Sequence, residues 1–327
     1  MPANLTPDYY KAERRFREAT TNEEKILAIE RMLAVMPKHK GTDHLKADLR
    51  RKLSKLRESP AKKGKGKHTD IFHIPRSGSG QVALLGLPNS GKSSLVAALT
   101  NAKVNVADFP FATAEPVPGM VQFEDIQIQL VDMPPITADY VAPGQVGIYR
   151  NCDLIGICID LSGGAAEQMR ICLDFMESRS LLIDTGTPAL DEQGNVLGRR
   201  TFCICTKSDI AREGALQVLK QSCRRRFEFV EVSTKTGEGL DRLPAVFFRL
   251  LGIIRVYAKP PGKKPDMNDP FTLPAGSTVM DLAAAIHKDL ADKLKYARIW
   301  GTGVYDGQNT QRNHVLNDKD IIELHFS

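Results

Sequence analysis

The chain has 327 residues, with 42% apolar and 26% charged residues, which excludes a fibrous or wholly disordered polymer and leaves room for more than one domain. No apolar run approaches the roughly 18 residues that span a bilayer, and Met1-Pro-Ala-Asn-Leu-Thr-Pro-Asp8 has no signal-like stretch, so the cytoplasm is the expected compartment and no membrane partner is expected. The net charge of +6 is uneven: residues 1–76 carry +9, residues 77–252 carry −4 and residues 253–327 carry +1. A basic arm on a weakly charged body suits either a polyanionic partner or a solvated helical surface.

In chain order, Asp8 to Thr20 reads as a charged helix, and Thr21-Asn-Glu-Glu24 has the form of a capping box. The box opens a helix over Lys25 to Met36, with Ile26, Ile29, Leu33 and Met36 at helical spacing. Gly41-Thr-Asp43 restarts a helix that places Leu45, Leu49, Leu53 and Leu56 on one stripe. Residues 1–60 are thus expected to form a helical hairpin. Residues 61–78 form a basic linker around Ala61-Lys-Lys-Gly-Lys-Gly-Lys67.

Residues 79–252 alternate strands with helices, which predicts a doubly wound α/β domain. The expected strands are Val82 to Leu85, Ile126 to Val131, Leu154 to Ile159, Phe202 to Cys205 and Phe229 to Val232. Helices are expected after Lys92, around Ala165 to Arg179, around Ala211 to Arg225 and from Leu240 to Leu251, with a hairpin turn at Asp191 to Gly198. Residues 253–327 read as a small α+β unit. Its strands are expected at Ile254 to Tyr257, Ala297 to Trp300 and Ile321 to His325, and its helix from Ser277 to about Leu290. Cys152, Cys158, Cys172, Cys203, Cys205 and Cys223 mostly lie in apolar runs and read as core residues.

Gly86-Leu-Pro-Asn-Ser-Gly-Lys-Ser93 has the P-loop pattern between a strand and a helix. Backbone amides of such a loop wrap phosphates, Lys92 reaches the β and γ oxygens, and the Ser93 hydroxyl can ligate Mg²⁺. Pro88, Asn89, Ser90, Gly91, Lys92, Ser93 and Ser94 therefore form the expected phosphate cradle. Thr206-Lys-Ser-Asp209 resembles the Asn-Lys-x-Asp motif of GTPases: the Asp209 carboxylate can accept from guanine N1–H and N2–H₂ together, and adenine lacks that amine. Lys207 would lie along the purine, and Thr206 keeps one hydroxyl where the motif has an amide. Ser233-Thr234-Lys235 resembles the loop whose amide meets guanine O6. Thr113, twenty residues beyond Ser93, is the candidate switch I hydroxyl for Mg²⁺, and Asp132 at a strand end is the candidate that holds Mg²⁺ through water. Lys92, Thr113 and Asp132 are accordingly the candidate catalytic residues. Asp-x-x-Gly is expected at this point, but the chain has Asp132-Met-Pro-Pro135, and proline has no N–H to offer a γ-phosphate. Ile136, where many GTPases place a glutamine, cannot polarise water.

Together with Asp108-Phe-Pro-Phe-Ala-Thr113, the P-loop resembles that of the Obg-related GTPases, and Pro37-Lys-His-Lys-Gly-Thr-Asp-His-Leu45 is similar to the developmentally regulated (DRG) branch. Ile254-Arg-Val-Tyr-Ala-Lys-Pro260, Leu273-Pro-Ala-Gly-Ser-Thr-Val279, Ile286-His-Lys-Asp-Leu290 and Tyr296-Ala-Arg-Ile-Trp300 resemble the TGS domain, a β-grasp module. This resemblance implies a P-loop, Ras-like GTPase domain between a helical hairpin and a TGS domain. It implies GTP or GDP and Mg²⁺ as ligands, slow hydrolysis with a hydrophobic residue such as Ile136 in place of the glutamine, and a ribosome or structured RNA as partner. It also implies a helper protein, no DNA partner, and K⁺ near Asn89 as in some potassium-activated relatives. The stretch from Asp160 to Thr201 is short for the domain that DRG proteins insert there. RNA contact is expected first at Lys62, Lys63, Lys65 and Lys67, then at Arg298 and Trp300, with Trp300 read as core rather than as a stacking platform. Pro135 motivates the alternative of a nucleotide-stabilised binding module that turns over little.

Overall fold

The computed structural model describes residues 9, 12, 13, 16, 22–36, 43–58, 72, 74–102, 115–137, 141, 144–182, 189–190, 196–197, 200–223, 225 and 227–326. The expected Thr21 cap, the Lys62 to Lys67 run and Thr113 lie outside these residues. The chain divides into two compact units, Met1–Thr69 and Asp70–Ser327.

In the first unit, helices α1 (Asn22–Val35) and α2 (Asp43–Glu58) pack together as the leucine spacing predicted. Ile29 and Met32 of α1 meet Leu49 of α2, with Tyr9, Ala12 and Met36 in the same small core. Exposed Arg50, Arg51 and Lys52 leave the other side of α2 strongly basic.

The second unit holds two main sheets. The first orders its strands β2-β3-β1-β4-β7-β8. They are β1 (Gln81–Leu85), β2 (Val117–Phe123), β3 (Ile126–Asp132), β4 (Leu154–Asp160), β7 (Arg200–Thr206) and β8 (Phe229–Glu231). All neighbours are parallel except β2 and β3, which form an antiparallel hairpin. The five residues of β1 are all buried, as expected for a central parallel strand covered on both faces. Helices α3 (Lys92–Leu99) and α7 (Leu243–Leu251) cover one face through Leu95, Val96, Leu243 and Phe247. Helices α4 (Gln145–Asn151), α5 (Ala165–Glu177) and α6 (Ala215–Ser222) cover the other through Ile148, Tyr149, Met169, Phe175 and Leu219. The two-stranded pair β5 (Ala189–Leu190) and β6 (Val196–Leu197) forms the hairpin expected there.

The second sheet orders β10-β9-β13-β11-β12, from β9 (Ile253–Ala258), β10 (Phe271–Pro274), β11 (Leu294–Trp300), β12 (Gln308–Thr310) and β13 (Asp320–Phe326). Helix α8 (Val279–Ile286), opened by a Thr278/Asp281 capping box, packs Val279, Leu282 and Ala283 on one face of this sheet. A separate short helix, α9 (Lys288–Lys293), follows, so the single helix expected to about Leu290 is two. The helix expected around Ala211 starts at Ala215 after a 3₁₀ turn at Ser208–Ile210, and Leu240–Arg242 is likewise a 3₁₀ turn ahead of α7.

Candidate functional site

The loop after β1 emerges beside the point where the sheet order reverses, between β3 and β4, which is where open α/β sheets bind ligands. Asn89 (φ 59°) and Gly91 (φ 84°) turn the chain through left-handed conformations so that α3 starts directly at Lys92. Gly86 must be glycine for a different reason. A Cβ there would lie 2.6 Å from the Ser90 hydroxyl and 2.7 Å from the Cys158 carbonyl oxygen. The loop is therefore a cradle with no room for a side chain at its floor. Lys92 is buried and its ammonium donates to the carbonyls of Gly86 at 3.0 Å and Leu87 at 2.8 Å. Burial is the largest influence and lowers its pKa, with Cys158 and Asp132 opposing. Ser90 is buried, Pro88, Ser93 and Ser94 are half-buried, and Asn89 is exposed.

Asp132 ends β3 and is fully buried close enough to Lys92 to act on its charge. A buried carboxylate beside an ammonium and a helix N-terminus suits a hydrated divalent cation bound with phosphate. With Ser93, Asp132 supplies hard oxygen donors of the kind Mg²⁺ takes.

The segment after Asp132 is fastened down. The Ile136 amide donates to the Gly86 carbonyl at 3.1 Å. Gln145, at the start of α4, donates to the Pro134 carbonyl at 2.5 Å and lies 3.3 Å from the Tyr149 hydroxyl, which donates to Leu84 O at 3.2 Å. Met133, Ile136, Gln145 and Tyr149 are all fully buried. Ile136 therefore belongs to the core under the sheet, packed among residues such as Leu85 and Ile148.

The base-recognition candidates come together at the ends of β7 and β8. The Thr206 hydroxyl lies 2.9 Å from Ser90 O and 3.2 Å from Ile159 O. It ties this strand to the phosphate loop and is committed to the protein backbone. Lys207, in a left-handed conformation (φ 57°), pairs with Asp160. Asp160 in turn accepts from the Ser162 amide at 2.8 Å and hydroxyl at 2.6 Å. Asp209 is exposed and one of its oxygens accepts the Ser233 hydroxyl at 2.8 Å, which leaves its second oxygen able to take another donor. Ser233 is fully buried and accepts from the amides of Lys235 and Thr236, so it shapes the loop that presents exposed Thr234 and Lys235. Sequence reading missed Asp160, Gln145 and Tyr149. Only the strand-end position of Asp160 could have flagged the first.

The cysteines are core residues, as expected. Burial pushes the Cys158 and Cys172 thiols up to about 12, which makes them poor nucleophiles. Among the described residues, no group of three or more His, Cys, Asp or Glu side chains could hold a metal, and no helix is long and apolar enough to cross a membrane. On the second sheet, Arg298 is exposed, whereas Trp300 is half-buried with the Lys259 ammonium 4.8 Å from its ring centroid. Beside Arg298 on the same face, exposed Tyr296 stacks on half-buried His325 at 4.5 Å, an aromatic pair that sequence reading did not single out.

The fold and this loop set define a P-loop GTPase domain followed by a TGS domain. The family described as 50S ribosome-binding GTPase matches residues 81–185, and the TGS domain family matches residues 254–325. Developmentally-regulated G-protein 2 of Arabidopsis thaliana is 27% identical over 363 aligned positions, covering 92% of this chain and 90% of that protein. Ribosome-interacting GTPase 1 of Saccharomyces cerevisiae is 27% identical over 366 positions, covering 93% and 99%. The YchF GTPase of Schizosaccharomyces pombe shares the fold at a TM-score of 0.53 and 12% identity, covering 77% of this chain and 99% of that one. The chain is a GTP-binding protein homologous, over 92% of its length, to the developmentally regulated GTP-binding proteins.

Proposed function

We propose that the protein binds GTP and GDP with Mg²⁺, hydrolyses GTP slowly, and acts as a ribosome- or RNA-associated switch. The observation that carries the nucleotide part is the Thr206 to Ser90 bond, because it holds the phosphate loop and the Asp209/Ser233 loop in one frame. Pro88 to Ser94 would hold the phosphates, Ser93, Asp132 and Thr113 the Mg²⁺, and Lys207, Asp209 and Ser233 to Lys235 the guanine. K⁺ beside Asn89 is part of the same reading. The test is a titration with fluorescent GDP. Asp209→Asn should weaken guanine nucleotide binding by at least about 10-fold, the worth of one good hydrogen-bonded discrimination. An unchanged affinity would remove Asp209 from the site.

The partner assignment draws support from the relative named Ribosome-interacting GTPase 1 and from the charge of residues 1–76. Contact would run through Lys62, Lys63, Lys65 and Lys67 and through the exposed face that carries Tyr296 and Arg298. Affinity for RNA should then fall steeply with salt, since each neutralised phosphate releases counterions. A flat salt dependence would sink this assignment.

A second reading, a nucleotide-stabilised module with little turnover, is favoured by one observation: the Met133 to Ile136 segment is fixed by Gln145 and Gly86 and lacks an amide at Pro135. Single-turnover hydrolysis with and without K⁺ and ribosomes separates the readings. Acceleration under any of these conditions supports the switch. For Pro135→Gly, an unchanged rate together with unchanged GTP/GDP discrimination would show that no γ-phosphate sensor was lost there.

A further inference from the structure

The β2–β3 hairpin joins the nucleotide site to the TGS domain. One end is Asp132; the other is the turn at Glu124-Asp125, where Glu124 takes a left-handed conformation (φ 48°). Between them the strands pair without a break from Val117↔Asp132 to Phe123↔Ile126. The six steps of about 3.4 Å along each strand make a stiff arm of about 20 Å.

On β9 of the TGS sheet, Ile254 and Val256 face that domain's own core, so Arg255 and Tyr257 face the opposite way. Both are nevertheless buried, because the hairpin turn lies on them. Arg255 reaches Glu124 at 2.6 Å and Asp125 at 2.8 Å with Nη1, and Asp318 of its own domain at 2.6 Å with Nη2. Its guanidinium lies 4.9 Å from the Phe248 ring centroid and 5.6 Å from that of Phe123. The Tyr257 hydroxyl donates to Asp125, and Lys319 pairs with Glu124 at 2.8 Å. The Arg255 side chain is only 3% exposed. A charge so enclosed is tolerable only while its carboxylates stay in place, so the two domains cannot part without stranding part of this network. The covalent junction is equally tight: α7 ends at Leu251 and is capped by Gly252, β9 starts at Ile253, and the Ala275 amide bonds back to the Gly252 carbonyl at 2.7 Å.

We infer that nucleotide occupancy of the GTPase domain is energetically coupled to the TGS domain through the Arg255 joint and the β2–β3 hairpin. The inference rests on the proposed nucleotide binding. A ligand stabilises whatever folds cooperatively with its site, and the joint places the TGS domain inside that cooperative unit. Nucleotide loading thereby firms the domain that carries the exposed Tyr296 and Arg298 face.

Trp300 is the only tryptophan of the chain and lies in the TGS domain, so its emission follows unfolding of that domain alone, while circular dichroism follows the helices of the whole chain. Denaturant unfolding of the full chain is compared with and without Mg²⁺ and GDP, the nucleotide at about a hundred times its Kd, which raises the folding equilibrium constant about 100-fold. In the native sequence the Trp300 transition should move to higher denaturant together with the dichroism transition. In Arg255→Met the dichroism transition should still move and the Trp300 transition should not. Asp125→Asn alters the joint from the GTPase side and should weaken the Trp300 response even if Arg255→Met leaves the TGS domain unfolded. A native Trp300 transition that ignores GDP while the dichroism transition moves would overturn the coupling, as would an undiminished Trp300 response in both variants. A shift in neither signal would overturn the coupling and the nucleotide-binding reading together.

Discussion

The two ends of the β2–β3 hairpin are held by opposite chemistry. Beyond Asp132, the chain is fixed by neutral groups: an amide on the Gly86 carbonyl, and the Gln145 amide on Pro134, within hydrogen-bond reach of a tyrosine hydroxyl. At the tip, the fixing groups are mostly ions, with Arg255 and Lys319 against Glu124, Asp125 and Asp318. Neutral buried hydrogen bonds respond little to salt and pH, whereas ion pairs respond to both. The wall of the nucleotide site is therefore built to keep its shape, and the domain joint to respond to conditions.

The largest expected effect breaks the neutral end. Gln145→Leu fills a similar volume but leaves the buried Pro134 carbonyl without its donor, which costs about 2 kcal/mol. Unfolding followed by dichroism measures the loss. Hydrogen exchange at the Ile136 amide should accelerate in the same variant, because that amide is the next fastening along the segment. No loss of stability and no change in exchange would mean that Gln145 holds nothing.

A smaller effect distinguishes the ends by pH. Lys319 and then Arg255 hold the Glu124 carboxyl below its ordinary pKa. For Asp125, burial pushes upward, but the Tyr257 hydroxyl and Arg255 outweigh it and the net shift is downward. A carboxylate depressed in the folded state contributes stability above its unfolded pKa and loses it as pH falls through the folded value. The joint should accordingly weaken as pH drops below the ordinary carboxylate range of about 4, while the Gln145 to Pro134 and Ile136 to Gly86 hydrogen bonds contain no titrating group. In an acid titration the Trp300 transition should shift before Ile136 exchange changes. The reverse order would erase the contrast.

Much of the first end was legible in the sequence and almost none of the second. β1, β4 and β7 are apolar runs, and phosphate-loop and base-loop residues close β1 and β7, so local pattern located them. β2 was missed because Pro118 and Gly119 interrupt it; as the outermost strand it tolerates the proline. Gly119 is there because a Cβ would lie 2.4 Å from the Thr100 hydroxyl, a contact that no local pattern shows. Helix α4, with Gln145 and Tyr149, is only seven residues long and gives little periodicity. Arg255 was visible as one charge inside Ile253-Ile-Arg-Val-Tyr257, but its partners Glu124 and Asp125 lie some 130 residues away, and only folding brings them together.

The smallest effect separates buried from exposed charge within the joint itself. Glu124 accepts from both Arg255 and Lys319, but the Lys319 side chain is 53% exposed and that of Arg255 only 3%. Water screens the Lys319 pair and ordering its long side chain costs entropy, so Lys319→Ala should change stability by no more than about 0.5 kcal/mol. Alanine is the right replacement because Lys319 has φ 71°, and glycine would add a backbone gain of its own in that conformation. Trp300-detected unfolding at low and high salt makes the comparison. If Lys319→Ala cost as much as Arg255→Met, the joint would depend on net charge at the tip rather than on the enclosure of one guanidinium.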